Sequence, residues 1–171
     1  MAKVQSRKEL EAQKEEERKR KSVLEHYKNR LYVLKTAMDQ SAKENYKDAV
    51  ENYKNYLFIL AGYFRVEERQ LSPKYFKSDK DLTELLLISH VYWDMAKIFD
   101  RNPKLNKECE RCLAQFVKFS MGFKYQFVNS EILRKYIKMG RINNTQAFKE
   151  ALVKLRTNKG GCYLATYCFG Y

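Results

Sequence analysis

Two prolines and six glycines are all that punctuate this chain of 171 residues. Between them, apolar residues recur every three or four positions among long runs of charge. Breakers this scarce leave few places to turn, and the periodicity is helical, so the sequence predicts an all-α protein. The length is that of one domain with or without appendages, enough to bury a core. The strand signal is weak everywhere except Cys162 to Phe169.

Residues 1–22 read as a charged helical lead-in. "RKELEAQKEEERKRK" has no face to bury, but Glu15–Lys19, Glu16–Arg20 and Glu17–Lys21 are opposite charges at i,i+4 in the favourable order. One long helix, or two abutting ones, is expected from Lys3 to about Lys43. Leu24, Tyr27, Leu31, Leu34 and Met38 form its core-facing stripe. The next helix, from Asn45, buries Tyr46, Ala49, Val50, Tyr53, Tyr56 and Leu57. Leu57 to Ala61 is expected to be deeply buried, with Gly62 loosening the end. Ser72-Pro73 breaks the chain, and Ser78 or Asp79 caps a strongly apolar helix that Asn102-Pro103 stops. Leu105 to Phe127 reads as one further helix with Leu105, Cys109, Cys112, Leu113, Phe116 and Val117 inward. A helix capped by Ser130 runs to Gly140. A last one, capped by Asn144 or Thr145, ends before Asn158. Residues 23–158 are thus one helical domain and 159–171 a tail.

Two stretches carry a resemblance. "NYKDAVENYKNYL" resembles the second helix of a tetratricopeptide repeat, with Tyr46 at the aromatic position, Ala49 at the small helix–helix contact, and Tyr53 and Tyr56 outside it. "VYWDMAKIFDRNPKLNKECERCLAQFV" resembles a whole repeat through Tyr92, Met95, Ala96, Phe99, Leu105, Leu113 and Phe116, with Cys109 one residue out of register. A small residue lets two helices approach, and aromatics fill the space beside it. The resemblance implies a TPR-like array of antiparallel helix pairs presenting a surface to a peptide or partner protein. The alternative architecture is an irregular bundle of about five to seven helices.

Charge is uneven. From Arg101 onward there are fourteen Lys/Arg against four Asp/Glu, whereas the first hundred residues carry twenty against seventeen. A basic second half fits a lysine-rich surface or an acidic partner: nucleic acid, an anionic membrane or an acidic protein. Lys118, Lys124, Arg134, Lys135, Lys138 and Arg141 interleave with Phe119, Phe123, Tyr125, Phe127 and Tyr136, a pattern that can bind single-stranded nucleic acid, although aromatics at helical spacing more often build a core. No apolar run of ~18 residues is long enough to span a bilayer, and no signal peptide is visible. A cytoplasmic protein with reduced thiols is expected.

Catalytic signatures are absent: there is no P-loop, GxGxxG, HExxH or nucleophile elbow. His26 and His90 have no partner nearby in sequence. Cys109-x-x-Cys112 with Cys162 and Cys168 could supply four thiolates to zinc. Yet the first pair lies mid-helix and the second is separated by five residues, so buried free cysteine is the stronger reading. No cofactor is expected.

The chain finishes on "GGCYLATYCFGY", without a charge. Cys162, Tyr163, Leu164, Ala165 and Thr166, followed by Phe169 and Gly170, resemble the CFI-box, a short C-terminal element of diverse bacterial proteins with the pattern Cys-Phe-Ile-Ala-Thr-Ala-x-Tyr-Gly. The resemblance implies a bacterial origin. Physically the tail can fold back on the helices, be captured by a partner, or carry attachments on Cys162 and Cys168. The sequence therefore predicts a non-enzymatic adaptor or scaffold. Its partner surface includes Tyr53, Tyr56, Tyr92, Trp93, Lys118, Lys124, Arg134 and Lys138, with the tail as a second recognition element.

Overall fold

The computed structural model describes residues 7–77 and 79–157. Within them the chain is all-helical, with no strand. Six α-helices lie in antiparallel pairs: α1 (Arg7–Ala42) with α2 (Tyr46–Phe64), α3 (Leu82–Asp100) with α4 (Asn106–Lys118), and α5 (Gln126–Lys138) with α6 (Thr145–Thr157). The chain divides into two compact units, the first ending at Leu71 and the second beginning at Ser72. The division falls inside the 23–158 helical span, at the Ser72-Pro73 break.

In the first unit, α1 is one uninterrupted helix of 36 residues against 19 in α2. At 1.5 Å per residue it outruns its partner by about 25 Å. Residues 8–22 are accordingly all exposed. The three expected ion pairs form there: Lys19–Glu15 at 3.4 Å, Arg20–Glu16 at 2.9 Å and Lys21–Glu17 at 2.8 Å. The face of α1 that meets α2 differs from the expected stripe. Leu34 and Ala37 are buried and Val23, Tyr27 and Arg30 half-buried, whereas Leu24, Leu31 and Met38 are about half exposed. The rotation places the Tyr27 ring on Tyr63, 3.9 Å between centroids, with the Arg30 guanidinium 4.0 Å over the Tyr27 ring. A cation over an aromatic face competes well with one more leucine contact. The α2 face is the expected one, with Ala49, Tyr53, Tyr56, Leu57, Leu60 and Ala61 buried. Phe58 is the exception inside the apolar run, at 60% exposed. Gly62 lies within α2, which instead ends at Arg65 in the left-handed region (φ 57°).

In the second unit, α3 is the central element. Leu85, Ile88, Tyr92, Met95 and Ala96 are fully buried. Asp81, rather than Asp79, is the residue before its first turn, and its Oδ2 accepts the Lys77 N–H at 2.8 Å; Ser78, the other expected cap, lies outside the described residues. The helix expected from Leu105 to Phe127 is two. It stops at Lys118 and restarts at Gln126, because Gly122 takes φ +81° and Ser120 Oγ donates to the Phe116 carbonyl. Ser130, expected as a cap, is therefore mid-helix, with its Oγ donating to the Phe127 carbonyl.

The break turns α5 so that polar residues face inward. Gln126, Asn129 and Ser130 are buried, while Phe127 and Val128 are half exposed. Each inward amide is satisfied, as burial requires. Gln126 Nε2 donates to the Leu155 carbonyl at 2.7 Å and its Oε1 accepts the Gly122 N–H at 2.7 Å. Asn129 Nδ2 donates to Ser120 Oγ (2.8 Å) and Ser89 Oγ (3.1 Å), which leaves its Oδ1 to accept from His90 Nε2 at 3.3 Å. His90 is thereby a partnered structural histidine.

Candidate functional site

The second unit carries a groove of about 260 Å³ between α4 and α6. Alanines make it. Ala114 on α4 and Ala147 and Ala151 on α6 leave room that larger side chains would fill, and Leu113 and Val117 form the rest of an apolar floor. Glu110, Asn144, Gln146, Glu150 and Lys154 form the rim. The rim is partly tied down: Asn144 Nδ2 donates to Glu110 Oε1 at 3.0 Å, and Gln146 Nε2 donates to Glu150 Oε1 at 2.8 Å.

The start of α6, and with it the groove, is positioned by Asp100 at the end of α3. This carboxylate is 1% exposed. Its Oδ2 accepts the Asn143 N–H at 3.0 Å, its Oδ1 accepts the Asn144 N–H at 2.8 Å, and its own carbonyl accepts from Asn143 Nδ2 at 2.6 Å. N–H groups at the head of a helix have no intrahelical acceptor, so an anion there is stabilising.

Four of the expected partner-binding residues are core residues. Tyr53 and Tyr56 are fully buried in the first unit, and Tyr92 and Trp93 are buried in the second. Trp93 is where four helices meet: its ring lies 5.3 Å from Phe116 of α4, 5.2 Å from Tyr136 of α5 and 6.0 Å from Phe148 of α6. The physical reason is helical register. The positions that gave these aromatics their spacing point them at neighbouring helices.

The basic candidates are better placed for contact. Lys118 and Lys124 are exposed on either side of the α4–α5 break, and Lys135 and Lys138 are exposed on α5. Arg134 is half-buried and committed to Glu131 at 2.6 Å, which Arg156 of α6 also reaches at 2.8 Å. The Arg134 guanidinium, seconded by Arg156, holds the Glu131 carboxyl below its ordinary pKa.

Cys109 and Cys112 are buried free thiols within α4. Burial, reinforced by the negative charges of Asp100 and Glu110, pushes the Cys109 thiol up to about 12. Cys162 and Cys168 lie outside the described residues, as do Tyr163, Leu164, Ala165, Thr166, Phe169 and Gly170. Among the described residues no group of three or more His, Cys, Asp or Glu side chains could hold a metal ion, and no helix is long and apolar enough to cross a membrane.

The raised Cys109 pKa has a measurable sign. The folded state keeps the thiol neutral, whereas an unfolded chain ionises it at its ordinary pKa of about 8.5. Its contribution to stability is therefore complete below that pH and is lost as pH rises toward 12. At pH 8, iodoacetamide is expected to leave Cys109 unmodified in the native chain and to modify it in denaturant, as read by peptide mass mapping. Rapid native-state labelling of Cys109 would contradict its burial.

The class so defined is an all-α protein of antiparallel helix pairs, with an open interhelical groove of mixed polar and apolar lining in its second unit. No protein-family model matches the chain, no curated protein matches it, and no solved structure matches it. The TPR and CFI-box likenesses rest on the residues quoted above.

Proposed function

We propose that the chain is a non-enzymatic protein-interaction adaptor whose second unit seats an apolar peptide segment in the α4–α6 groove. The observation that carries this reading is the groove itself. At about 260 Å³ it falls below the ~300–1,000 Å³ usual for small-molecule sites. It is open along two helices, apolar on the floor and polar at the rim. That suits one or two side chains of a longer ligand rather than an enclosed metabolite. Alternating anchors along an extended or helical peptide are read in this way.

A second reading has its own observation. Among the described residues no carboxylate pairs with Lys124, Lys135, Lys138 or Arg141, so these charges are available to a polyanion.

One experiment separates the two. Peptides selected from a displayed library against the full chain are tested on Ala147→Trp, which fills the groove, and on Lys135→Gln/Lys138→Gln. The groove reading expects at least a tenfold loss on Ala147→Trp, about 1.4 kcal/mol, little effect of the lysine changes, and weak salt dependence. Binding that survives Ala147→Trp, falls with the lysine changes and drops steeply with salt supports the polyanion reading instead.

A further inference from the structure

We infer that the outer face of α5 docks on an anionic lipid surface, with Phe127 and Val128 entering the bilayer interface and Lys124, Lys135 and Lys138 at the headgroups. The inference goes beyond the groove. It rests on the charges of the polyanion reading and adds an apolar contact to them. Three observations lead to it.

The first is the layout of the face. Phe127 and Val128, in the first turn of α5, are 52% and 53% exposed. At 3.6 residues per turn they share a sector of about 120° with Arg134, Lys135 and Lys138. The buried Gln126, Asn129 and Leu133 stand on the opposite side. The face is thus apolar at its start and basic further along, the two ingredients of an interfacial helix. Lys135 lies about 11 Å along the axis from Val128. A lysine stem can cover part of that gap while its ammonium stays with the headgroups.

The second is charge. From Arg111 to Lys149 Glu131 is the only acidic residue, against eight lysines and arginines. Glu131 is itself met by Arg134 at 2.6 Å and Arg156 at 2.8 Å. An anionic surface therefore meets no unbalanced carboxylate on this face.

The third is the turn that leads into the face. Backbone groups without partners are what make entry into an apolar medium costly. Here the Phe119 carbonyl accepts from Tyr125 Oη at 2.7 Å, and the Gly122 N–H donates to Gln126 Oε1 at 2.7 Å. The turn is held by its own side chains. Lipid fits better than a nucleic acid, which would need several rings to stack on. Phe119 and Tyr125 are buried, and Phe123 already stacks on Tyr125 at 5.4 Å. Beside Phe127, the exposed apolar residues are Val128 and, just past the helix, Met139.

The test sediments the full chain with phosphatidylcholine vesicles, with and without about one-third phosphatidylserine. Binding is expected only with the anionic lipid. Phe127→Ser/Val128→Ser should weaken it at least tenfold, with the fold unchanged by circular dichroism. Lys124→Gln/Lys135→Gln/Lys138→Gln should weaken it roughly a hundredfold, at about fivefold for each lysine. In Phe127→Trp the added fluorescence should shift to the blue and be quenched by lipids brominated in the acyl chain. Trp93, 5% exposed, is the unquenched control. Absence of binding to the anionic vesicles overturns the inference, and if single-stranded RNA is not bound either, the polyanion reading falls with it. Vesicle binding that needs the lysines but ignores the apolar pair, with the added tryptophan unquenched, overturns the insertion and leaves the polyanion reading standing. RNA binding in place of vesicle binding also overturns it. Dimers that form without lipid and dissociate in Phe127→Ser/Val128→Ser would assign the face to a second copy and overturn it too.

Discussion

Replacing Trp93 with alanine is expected to destabilise the second unit by about 3–5 kcal/mol, the range for deleting a large buried aromatic. The size follows from position. Trp93 is 5% exposed and touches rings on three other helices: Phe116, Tyr136 and Phe148. Tyr136 and Phe148 also pack on each other at 5.5 Å, so no single neighbour can move into the space without leaving another contact. Aromatic pairs of this geometry contribute beyond their buried area. The measurement is denaturant unfolding of the full chain followed by circular dichroism and by amide exchange in α3 to α6. A surface tryptophan serving only as a binding contact would change stability by less than about 0.5 kcal/mol, and that result would refute its place in the core.

The second large effect is expected at Asp100. Asp100→Ala removes the acceptor of two backbone N–H groups, Asn143 and Asn144, at a site where the carboxylate is 1% exposed. Hydrogen bonds to a charged group contribute about 1.5–3 kcal/mol each, and buried donors left without acceptors carry a further cost, so a loss of about 3 kcal/mol is expected after local relaxation. Asp100→Asn should recover part of it, since the amide oxygen can still accept one of the two. The diagnostic readout is amide exchange at Asn143 and Asn144, which should accelerate more than exchange in α3. Because α6 forms one wall of the groove, the same variant should weaken the peptide binding proposed there. Unchanged protection at Asn143 and Asn144 would show that Asp100 does not hold the start of α6.

The helical class and the ion pairs of the lead-in were legible in the residues. An i,i+4 Glu–Lys pair needs only its own helix, and breaker positions act locally. The α2 face was legible too, since Ala49, Tyr53, Tyr56 and Leu57 stand on one side of any helix drawn through them. The α1 face was not. Leucine count favours Leu24, Leu31 and Met38, but the stack of Tyr27 on Tyr63, with Arg30 above it, depends on a residue in the next helix. The α5 face was hidden for a related reason: beside Leu133 its inward residues are Gln126, Asn129 and Ser130, and apolar periodicity does not mark them. Their burial is affordable only because acceptors and donors from Leu155, Gly122, Ser89 and Ser120 meet them. The groove was missed because the eye goes to large aromatics. Its signal was the reverse, small alanines at Ala114, Ala147 and Ala151.

The sequence by itself determined that this protein is helical, where its main breaks fall at Ser72-Pro73 and Asn102-Pro103, and that its second half is basic. These are properties of local backbone preference and of charge, which need no neighbour to be defined. Only the tertiary structure decided that Tyr53, Tyr56, Tyr92 and Trp93 are core, that Asp100 anchors α6, and that a concave surface lies between α4 and α6. Each of these depends on which residues meet across 20 or more positions of chain, and a hydrogen bond, a ring contact or a dent belongs to the pair of elements rather than to either one.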